Sequence, residues 1–303
     1  MSDPIEHFRL AIAAAGLAAP DHINADGAIH RFSTNGRRGD ESGWYSLHTD
    51  GIAAGSFGCW REGLQSTWCA KSDSDMTPAQ RAAHRQRMKA DKTQREAVLQ
   101  ATQEHASQTA AALWSQADAA TTHAYASRKG IKLHGLKVFG DKLLIPLRDT
   151  AGQMHSLQTI TPDGDKRFHP GGRVKGCYHA IGKPDGVLIV CEGSATGASI
   201  HEATGYAVAV AFNAGNLEAV ALALHRQYPA LAIVVAADDD WRTEGNPGLS
   251  HAKAAALAVG GMCIAPQFPA DRPPKATDFN DLATLAGPGT VNACFTEIEG
   301  LVC

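Results

Sequence analysis

The chain has 303 residues, of which 44% are hydrophobic and 19% charged, and its net charge is −3. That length predicts two domains, or one large domain with an appendage. No apolar stretch reaches the roughly 20 residues of a transmembrane helix, and the first residues lack a signal-peptide profile. We therefore expect a cytoplasmic protein without a membrane partner. Seven scattered cysteines with no C-x-x-C pair argue against a disulfide framework.

The charges are distributed unevenly along the chain. Residues 128–183 hold 11 Lys and Arg against 4 Asp and Glu, whereas residues 184–303 hold 5 against 13. A basic segment beside an acidic one suits a protein that binds a polyanion with one part and metal ions with the other. Ordinary surface variation explains the same distribution equally well, so charge alone leaves both interpretations open.

Residues 1–76 are predicted to form a small β domain. An amphipathic helix over 4–18 precedes a glycine- and aromatic-rich stretch, roughly 27–70, whose alternating runs and Gly-containing turns indicate an antiparallel sheet. Aromatic side chains interleaved with arginines on such a sheet can stack bases and hold phosphates. Each tryptophan alone is more simply explained as a core residue. The candidate DNA-binding residues are Arg31, Trp44, Trp60 and Arg61.

Four residues of this domain are potential zinc ligands, namely His30, His48, Cys59 and Cys69. Their spacings match no zinc ribbon, because structural zinc sites pair their cysteines two to four residues apart. Isolated core and surface residues are the favoured interpretation, and we do not expect zinc.

The middle of the chain is predicted to be helical and then β-rich. Residues 77–127 contain no glycine, and Thr77 followed by Pro78 is a typical helix start, so we expect a helical linker of one long helix or a pair. Residues 128–184 are predicted to form a basic β-rich subdomain. Its glycines and cations over 171–176 suit close contact with phosphates.

From residue 185 the pattern alternates strand and helix, which predicts an α/β domain over 185–303 with a parallel sheet between helices. One apolar run ends at Glu192, and another ends at Asp238, Asp239 and Asp240. Ligands bind at the carboxyl ends of neighbouring parallel strands, and clustered carboxylates without a partner repel one another. The pattern therefore predicts a divalent-metal site, to which Asp278 and Asp281 add two carboxylates.

Other catalytic motifs are missing from the sequence. The turn after Glu192 lacks the Gly-Lys-Ser/Thr ending of a P-loop, which argues against a helicase or motor ATPase. The sequence contains neither a G-x-S-x-G elbow nor an H-E-x-x-H helix.

Four short motifs, in the order in which they occur along the chain, resemble those of Toprim-domain primases of plasmids and phages. The motifs that carry the resemblance are Cys191-Glu192-Gly193, Ala214-Gly215-Asn216, Asp238-x-Asp240 and Asp278-x-Asn280-Asp281. Upstream, the run from Gly171 to Tyr178 is similar to the basic subdomain that precedes Toprim in such primases. The N-terminal sheet resembles their template-reading module, without the paired cysteines of a zinc ribbon.

The resemblance implies an enzyme that joins ribonucleotides into short RNA primers on single-stranded DNA. It implies that Glu192, Asp238 and Asp240 are catalytic and, with Asp278 and Asp281, hold Mg²⁺ or Mn²⁺. The implied nucleotide- or template-binding residues are Arg148, Arg167, Arg173, Lys175 and Asn216. The implied partners are a single-stranded DNA template, ribonucleoside triphosphates and a separate replicative helicase.

Two alternatives stay open at this point. A Toprim nuclease or topoisomerase-related enzyme would use the same acids, although no tyrosine stands in an obvious nucleophile setting. A non-catalytic, single-stranded-DNA-binding accessory protein is the alternative from another class, and the intact acids argue against it.

Overall fold

The computed structural model describes residues 3–59, 64–71 and 75–301. The chain forms two compact units, which divide between Ala97 and Val98, inside a long helix. The predicted α/β class is confirmed, because β-sheets and helices form both units. The finer division into four domains stays a prediction. Within the described ranges, no helix is long and apolar enough to cross a membrane.

The N-terminal unit is a four-stranded antiparallel sheet packed against a helix. The helix is α1 (Pro4–Ala14), and the strands, in sheet order, are β1 (His30–Phe32), β2 (Gly43–His48), β3 (Ala54–Cys59) and β4 (Leu64–Cys69). Phe8 and Ile12 of α1 are fully buried against the sheet. Gly55 permits this approach, since a Cβ there would lie 2.8 Å from the Phe8 ring.

The stretch predicted as a helical linker is one helix of 39 residues, α2 (Pro78–Gln116), followed by a short strand and a short helix. The strand is β5 (Asp118–Ala119) and the helix is α3 (Ala124–Lys129), which ends at Gly130 in the left-handed conformation (φ 65°). This ending is a common helix stop, because glycine adopts positive φ without steric cost.

The basic segment forms a five-stranded antiparallel sheet with β5 at its edge. The remaining strands, in sheet order, are β6 (Lys137–Phe139), β7 (Lys142–Arg148), β8 (Met154–Ile160) and β9 (Lys166–Phe168). Residues 128–184 are predicted to be β-rich, and β7 and β8, with seven residues each, are the longest strands found there.

The acidic segment forms a second five-stranded sheet in the order β10-β12-β11-β13-β14. These strands are β10 (His179–Ile181), β11 (Val187–Cys191), β12 (Ala207–Val210), β13 (Ala232–Ala236) and β14 (Met262–Ile264). The last four run parallel, whereas β10 is an antiparallel edge strand that the sequence pattern did not reveal. Three residues before a glycine are too few to show a strand period.

Helices cover both faces of this sheet. They are α4 (Ser194–Thr204), α5 (Leu217–Gln227), α6 (Pro247–Ala258), α7 (Phe279–Ala286) and α8 (Pro288–Ala293). Successive residues of β11 enter different cores: Ile189 packs with α4, α7 and α8, whereas Val190 packs with α5 and α6. Burial on both faces explains why the strand is apolar throughout.

Candidate active site

The candidate site lies where two neighbouring parallel strands end. Strands β11 and β13 are paired, with Cys191 in register with Ala236, so Glu192 and Asp238 leave the sheet at the same edge. Asp278 belongs to the same cluster because its charge raises the pKa of Asp238. The structure thus brings Glu192, Asp238, Asp240 and Asp278 into one crevice, as the parallel-strand argument predicts.

Asp238 is the most strongly perturbed carboxyl group of the crevice. Burial, and then repulsion from Asp278, Glu192 and Asp240, raise its pKa to about 8. Its Oδ1 is buried and accepts no hydrogen bond within the described part of the protein. A buried carboxylate without a partner is costly, which leaves this oxygen available to a cation.

Burial and the charge of neighbouring carboxylates also raise the pKa of Glu192 and of Asp278. Burial raises the pKa of Glu192, and repulsion from Asp240 adds to this shift. Burial and then the charge of Asp281 raise the pKa of Asp278, although its Oδ1 accepts a hydrogen bond from the Asp281 amide at 2.8 Å. The cluster therefore holds more negative charge than the protein around it neutralises.

Asp239 differs from its two neighbours. Burial alone would raise its pKa, but hydrogen bonds from Arg272 (2.5 Å) and Asn246 (2.6 Å) outweigh burial and lower it. No separate role was predicted for Asp239 from the sequence. The structure pairs Asp239 with Arg272, so Asp239 stabilises the loop. Asp238 and Asp240 belong to the acidic crevice.

Asp240 lies in the loop after β13, and helix α6 fixes its side chain. Asp240 Oδ2 accepts a hydrogen bond from the Gly248 amide at 3.1 Å. A Cβ on Gly248 would lie 2.6 Å from the Asp238 carbonyl oxygen and 2.9 Å from Asp240 Oδ2. Only glycine permits this contact, and sequence analysis missed Gly248 because its partner lies eight residues away.

Asp281 is a more distant contributor. Its Oδ2 accepts a hydrogen bond from the Thr277 amide (2.9 Å), and its Oδ1 lies 3.7 Å from Lys129 Nζ. Because both oxygens already have partners, Asp281 is less available to a cation than Asp238. Its charge still contributes to the raised pKa of Asp278.

A strained backbone position lies beside Glu192. Phe212, after β12, has φ 74°, and its amide donates to the Glu192 carbonyl oxygen at 2.8 Å. Non-glycine residues in this region cost of order 1–3 kcal/mol and cluster at functional sites. Gly193, directly after Glu192, has φ −98°, a backbone conformation that other residues also adopt.

The donor set of the crevice fits a hard divalent cation. Carboxylate oxygens are the ligands that Mg²⁺ and Mn²⁺ prefer, and a cation would relieve both the repulsion and the unpartnered Asp238 oxygen. In residues 3–59, 64–71 and 75–301, no three His, Cys, Asp or Glu side chains form a ready-made ligand group. The fit therefore rests on charge and on oxygen chemistry, since Mg²⁺ retains several waters in protein sites.

A lysine that the sequence analysis passed over is the cation that influences Glu192 most. Lys166 in β9 lowers the pKa of Glu192, and its Nζ lies 5.6 Å from the centre of the Tyr125 ring. Phe168 of the same strand meets Phe212 edge to face, with ring centres 6.1 Å apart. Strand alternation directs the next residue, Arg167, to the opposite side of β9.

Asn216, predicted to contact a nucleotide, has a buried side chain. It is 3% exposed, and its side chain makes four hydrogen bonds within the protein: it accepts from the Gly176 amide and donates to the carbonyl oxygens of Val174, Cys177 and Ala211. Direct nucleotide binding does not fit a fully used, buried amide. Asn216 instead fastens the glycine-rich basic loop to the parallel sheet.

The other predicted nucleotide-binding cations differ in how many contacts the protein makes with them. Arg148 donates to the Gly152 carbonyl oxygen at 2.9 Å, and Lys175 is exposed. Arg173 donates to Asp149 at 3.2 Å, where His155 also binds at 2.7 Å. Asp149 therefore holds Arg173 in place.

The predicted DNA-binding residues of the N-terminal unit differ in their exposure to solvent. Trp44 is 4% exposed, which does not fit the base-stacking role expected of it, whereas Arg31 is exposed. Trp60 and Arg61 lie outside the described residues. Of the potential zinc ligands, Cys59 is in register with Leu64 and Cys69 with Ala54, so the two cysteines lie at opposite ends of the β3–β4 pair.

Comparison with known proteins shows what the crevice is similar to. Residues 187–289 match the family model described as the Toprim domain. This match covers the acidic crevice and the strands that form it, so this segment is similar to Toprim domains. The resemblance to Toprim-domain primases of mobile elements is confirmed.

Two curated relatives, both DNA primase TraC from Escherichia coli, are 36% identical to the chain, over 286 and 304 residues. The alignments cover 88% and 93% of this chain, which spans only 26% and 20% of the length of those relatives. A solved primase fragment of the bacteriophage T7 primase-helicase protein aligns with 55% of this chain and 71% of its own, at 16% identity and a TM-score of 0.42.

Asp238→Asn is expected to stabilise the metal-free protein, by about 1 kcal/mol or more, because it removes a buried charge without a partner. The gain should grow as the pH rises from 3.8 towards about 8. Over that range the unfolded chain releases a proton that folded Asp238 retains, so the wild type loses stability with rising pH. Denaturant unfolding with a chelator, across this pH range, measures the effect.

The matched control is Asp239→Asn, which should lower stability at neutral pH because it leaves the half-buried Arg272 without its carboxylate. Added Mg²⁺ should stabilise the wild type and the Asp239 variant more than the Asp238 variant. Equal Mg²⁺ stabilisation of all three proteins would contradict a metal role for Asp238.

Gly248→Ala is expected to weaken Mg²⁺ stabilisation, because the added methyl group pushes against the Asp238 backbone and the Asp240 carboxylate. Gly289→Ala in α8 is the control, since a Cβ there meets nothing within 4 Å. Thermal shifts measured with and without Mg²⁺ report the difference. An unchanged Mg²⁺ response in a folded Gly248→Ala variant would disprove this part of the geometry.

Proposed function

We propose that the chain is a DNA primase, a nucleotidyltransferase that synthesises short RNA primers on a single-stranded DNA template. The observation that carries the proposal is the buried, mutually repelling group of carboxylates at the ends of β11 and β13, where Asp238 has an oxygen without a partner. The Toprim family match and the identity to two proteins named DNA primase support the same conclusion.

In this proposal Glu192, Asp238 and Asp240 hold Mg²⁺ or Mn²⁺, with Asp278 and Asp281 as a second contribution. The bound ion would polarise the phosphoryl group under attack and stabilise the attacking and leaving oxygens. Asp238 is best suited to the ion because it has a buried oxygen with no protein donor. Zinc has no part in this proposal.

The reaction joins the 3′-hydroxyl of one nucleotide to the α-phosphorus of the next and releases pyrophosphate. Glu192 accepts the proton of the 3′-hydroxyl. Its half-buried position at the end of β11 places its carboxylate beside the ion that the same crevice would hold. Lys166 favours the charged form of Glu192, which is the form that accepts a proton.

The basic subdomain supplies the positive charge that a nucleotide or template needs and that the acidic domain does not provide. Arg148, Arg167, Arg173 and Lys175, together with Lys166, would hold the triphosphate or the template backbone. Asn216 acts indirectly, since it ties residues 174–177 to the sheet that carries the acids. This connection positions the loop segment that carries Lys175 relative to the sheet that carries the acids.

We further propose that the N-terminal β-sheet domain contacts the template strand, with Arg31 as a phosphate contact and Trp60 and Arg61 as further candidates. Residues 77–127 would link it to the basic subdomain and the Toprim domain, in the order given by the sequence. A separate replicative helicase is a further proposed partner. The cytoplasm is the proposed location.

A priming assay tests the function. Full-length protein, single-stranded DNA, labelled ribonucleotides and Mg²⁺ or Mn²⁺ should give short RNA products that a chelator abolishes. Glu192→Gln and Asp238→Asn should each reduce synthesis by about 100-fold or more, as expected when a group that acts on the transition state is removed. Asp163→Asn, in the exposed turn before β9, is the matched control and should leave synthesis unchanged.

Three outcomes would contradict the proposal. Cleavage of the template without RNA synthesis would identify a Toprim nuclease. Salt-sensitive DNA binding with neither activity would identify an accessory protein. Normal synthesis by both amide variants would show that the acids are not the catalytic groups.

A further inference from the structure

An exposed tryptophan stands directly after the acidic triplet. Trp241 follows Asp240 in the loop between β13 and α6, and 45% of its surface is accessible. Its amide donates to the Asp239 carbonyl oxygen at 2.8 Å, which holds its backbone next to the crevice. The proposed metal-binding and proton-transfer roles do not use this side chain.

A fixed guanidinium group supports the indole ring. Arg272 lies over Trp241, with Cζ 5.2 Å from the ring centroid, and over Phe268, at 4.1 Å. Its nitrogens donate to the carboxylate and carbonyl oxygens of Asp239 and to the Ala276 carbonyl oxygen. Because Arg272 is 15% exposed and held at three points, the ring rests on a rigid layer.

A second guanidinium group over the ring is not fixed. Arg242 Cζ lies 5.0 Å from the Trp241 ring centroid, and its residue is exposed. Its side chain makes no hydrogen bond or ion pair to any residue of the described ranges. Arg242 can therefore leave the ring and bind an anion at the cost of this one cation-π contact.

These features together match the chemistry of a nucleotide. A nucleobase presents a flat π-surface that stacks on tryptophan, and its phosphate is the anion that an arginine fork binds best. We propose that Trp241 stacks a nucleobase at the edge of the acidic crevice and that Arg242 binds the phosphate attached to it. The proposal relies on the proposed function only for the class of ligand.

The base has two possible sources, a free ribonucleoside triphosphate or the single-stranded DNA, and binding assays distinguish them. Full-length protein is titrated, with a chelator present, against a fluorescein-labelled deoxythymidine oligonucleotide, the same oligonucleotide with abasic residues, and each ribonucleoside triphosphate. Fluorescence anisotropy follows the oligonucleotides, and calorimetry follows the nucleotides. RNA synthesis is not measured, so a lack of priming would reject the proposed function without touching this proposal.

Trp241→Ala should weaken binding of the base-containing ligand by about 5- to 100-fold, the range for losing one stacked base, whereas Trp241→Phe should retain most of the affinity. A loss confined to the oligonucleotide assigns the base to the strand, and a loss confined to the triphosphates assigns it to the nucleotide. The abasic oligonucleotide should bind the wild type and Trp241→Ala equally. Arg242→Ala should reduce the salt dependence of binding by about one phosphate contact.

Leu257→Ala, which removes an 83% exposed side chain of α6, is the control and should change nothing. Circular dichroism establishes that each variant is folded. If Trp241→Ala is folded and binds every ligand as the wild type does, the proposal is overturned. It is also overturned if Trp241→Ala weakens the abasic oligonucleotide as much as the normal one.

Discussion

The structure of the crevice depends on unrelieved repulsion between carboxylates that the parallel sheet forces together. Pairing of β11 with β13 places Glu192 and Asp238 at one edge, and the start of α7 adds Asp278 to the same cluster. A protein that used these acids only for stability would supply each with a cation, as it does for Asp239 through Arg272. Asp238 instead keeps a buried oxygen without a partner. This is stability given up for function.

The surroundings of the cluster maintain this state. Gly248 leaves space for Asp240 close to the Asp238 backbone, and Phe212 holds a strained φ beside Glu192. The Asn216 side chain joins the basic loop to the same sheet, through hydrogen bonds to residues 174, 176 and 177 of the loop and to Ala211 beside β12. Opposite charges are thus positioned by rigid contacts rather than by direct ion pairs, which would neutralise the acids of the proposed metal site.

The sequence was sufficient for the parts of the fold that have a local signal. Apolar runs that end in acids predicted β11, β13 and the convergence of Glu192 with Asp238, because neighbouring parallel strands end at one edge. The pairing of Asp239 with Arg272 could not be predicted, since 33 residues separate them and no periodicity links them. Lys166 and Gly248 were missed for the same reason. Trp44 and Asn216 were given surface roles because residue type alone does not reveal burial.

The most direct test of the account is a crystal structure of the protein with Mn²⁺, using the anomalous signal of the metal. The account predicts anomalous density in contact with Asp238 and with at least one of Glu192, Asp240 and Asp278, and its loss in Asp238→Asn. Density elsewhere, or a crevice in which lysine or arginine side chains move in to neutralise the acids while Mn²⁺ is present, would contradict it.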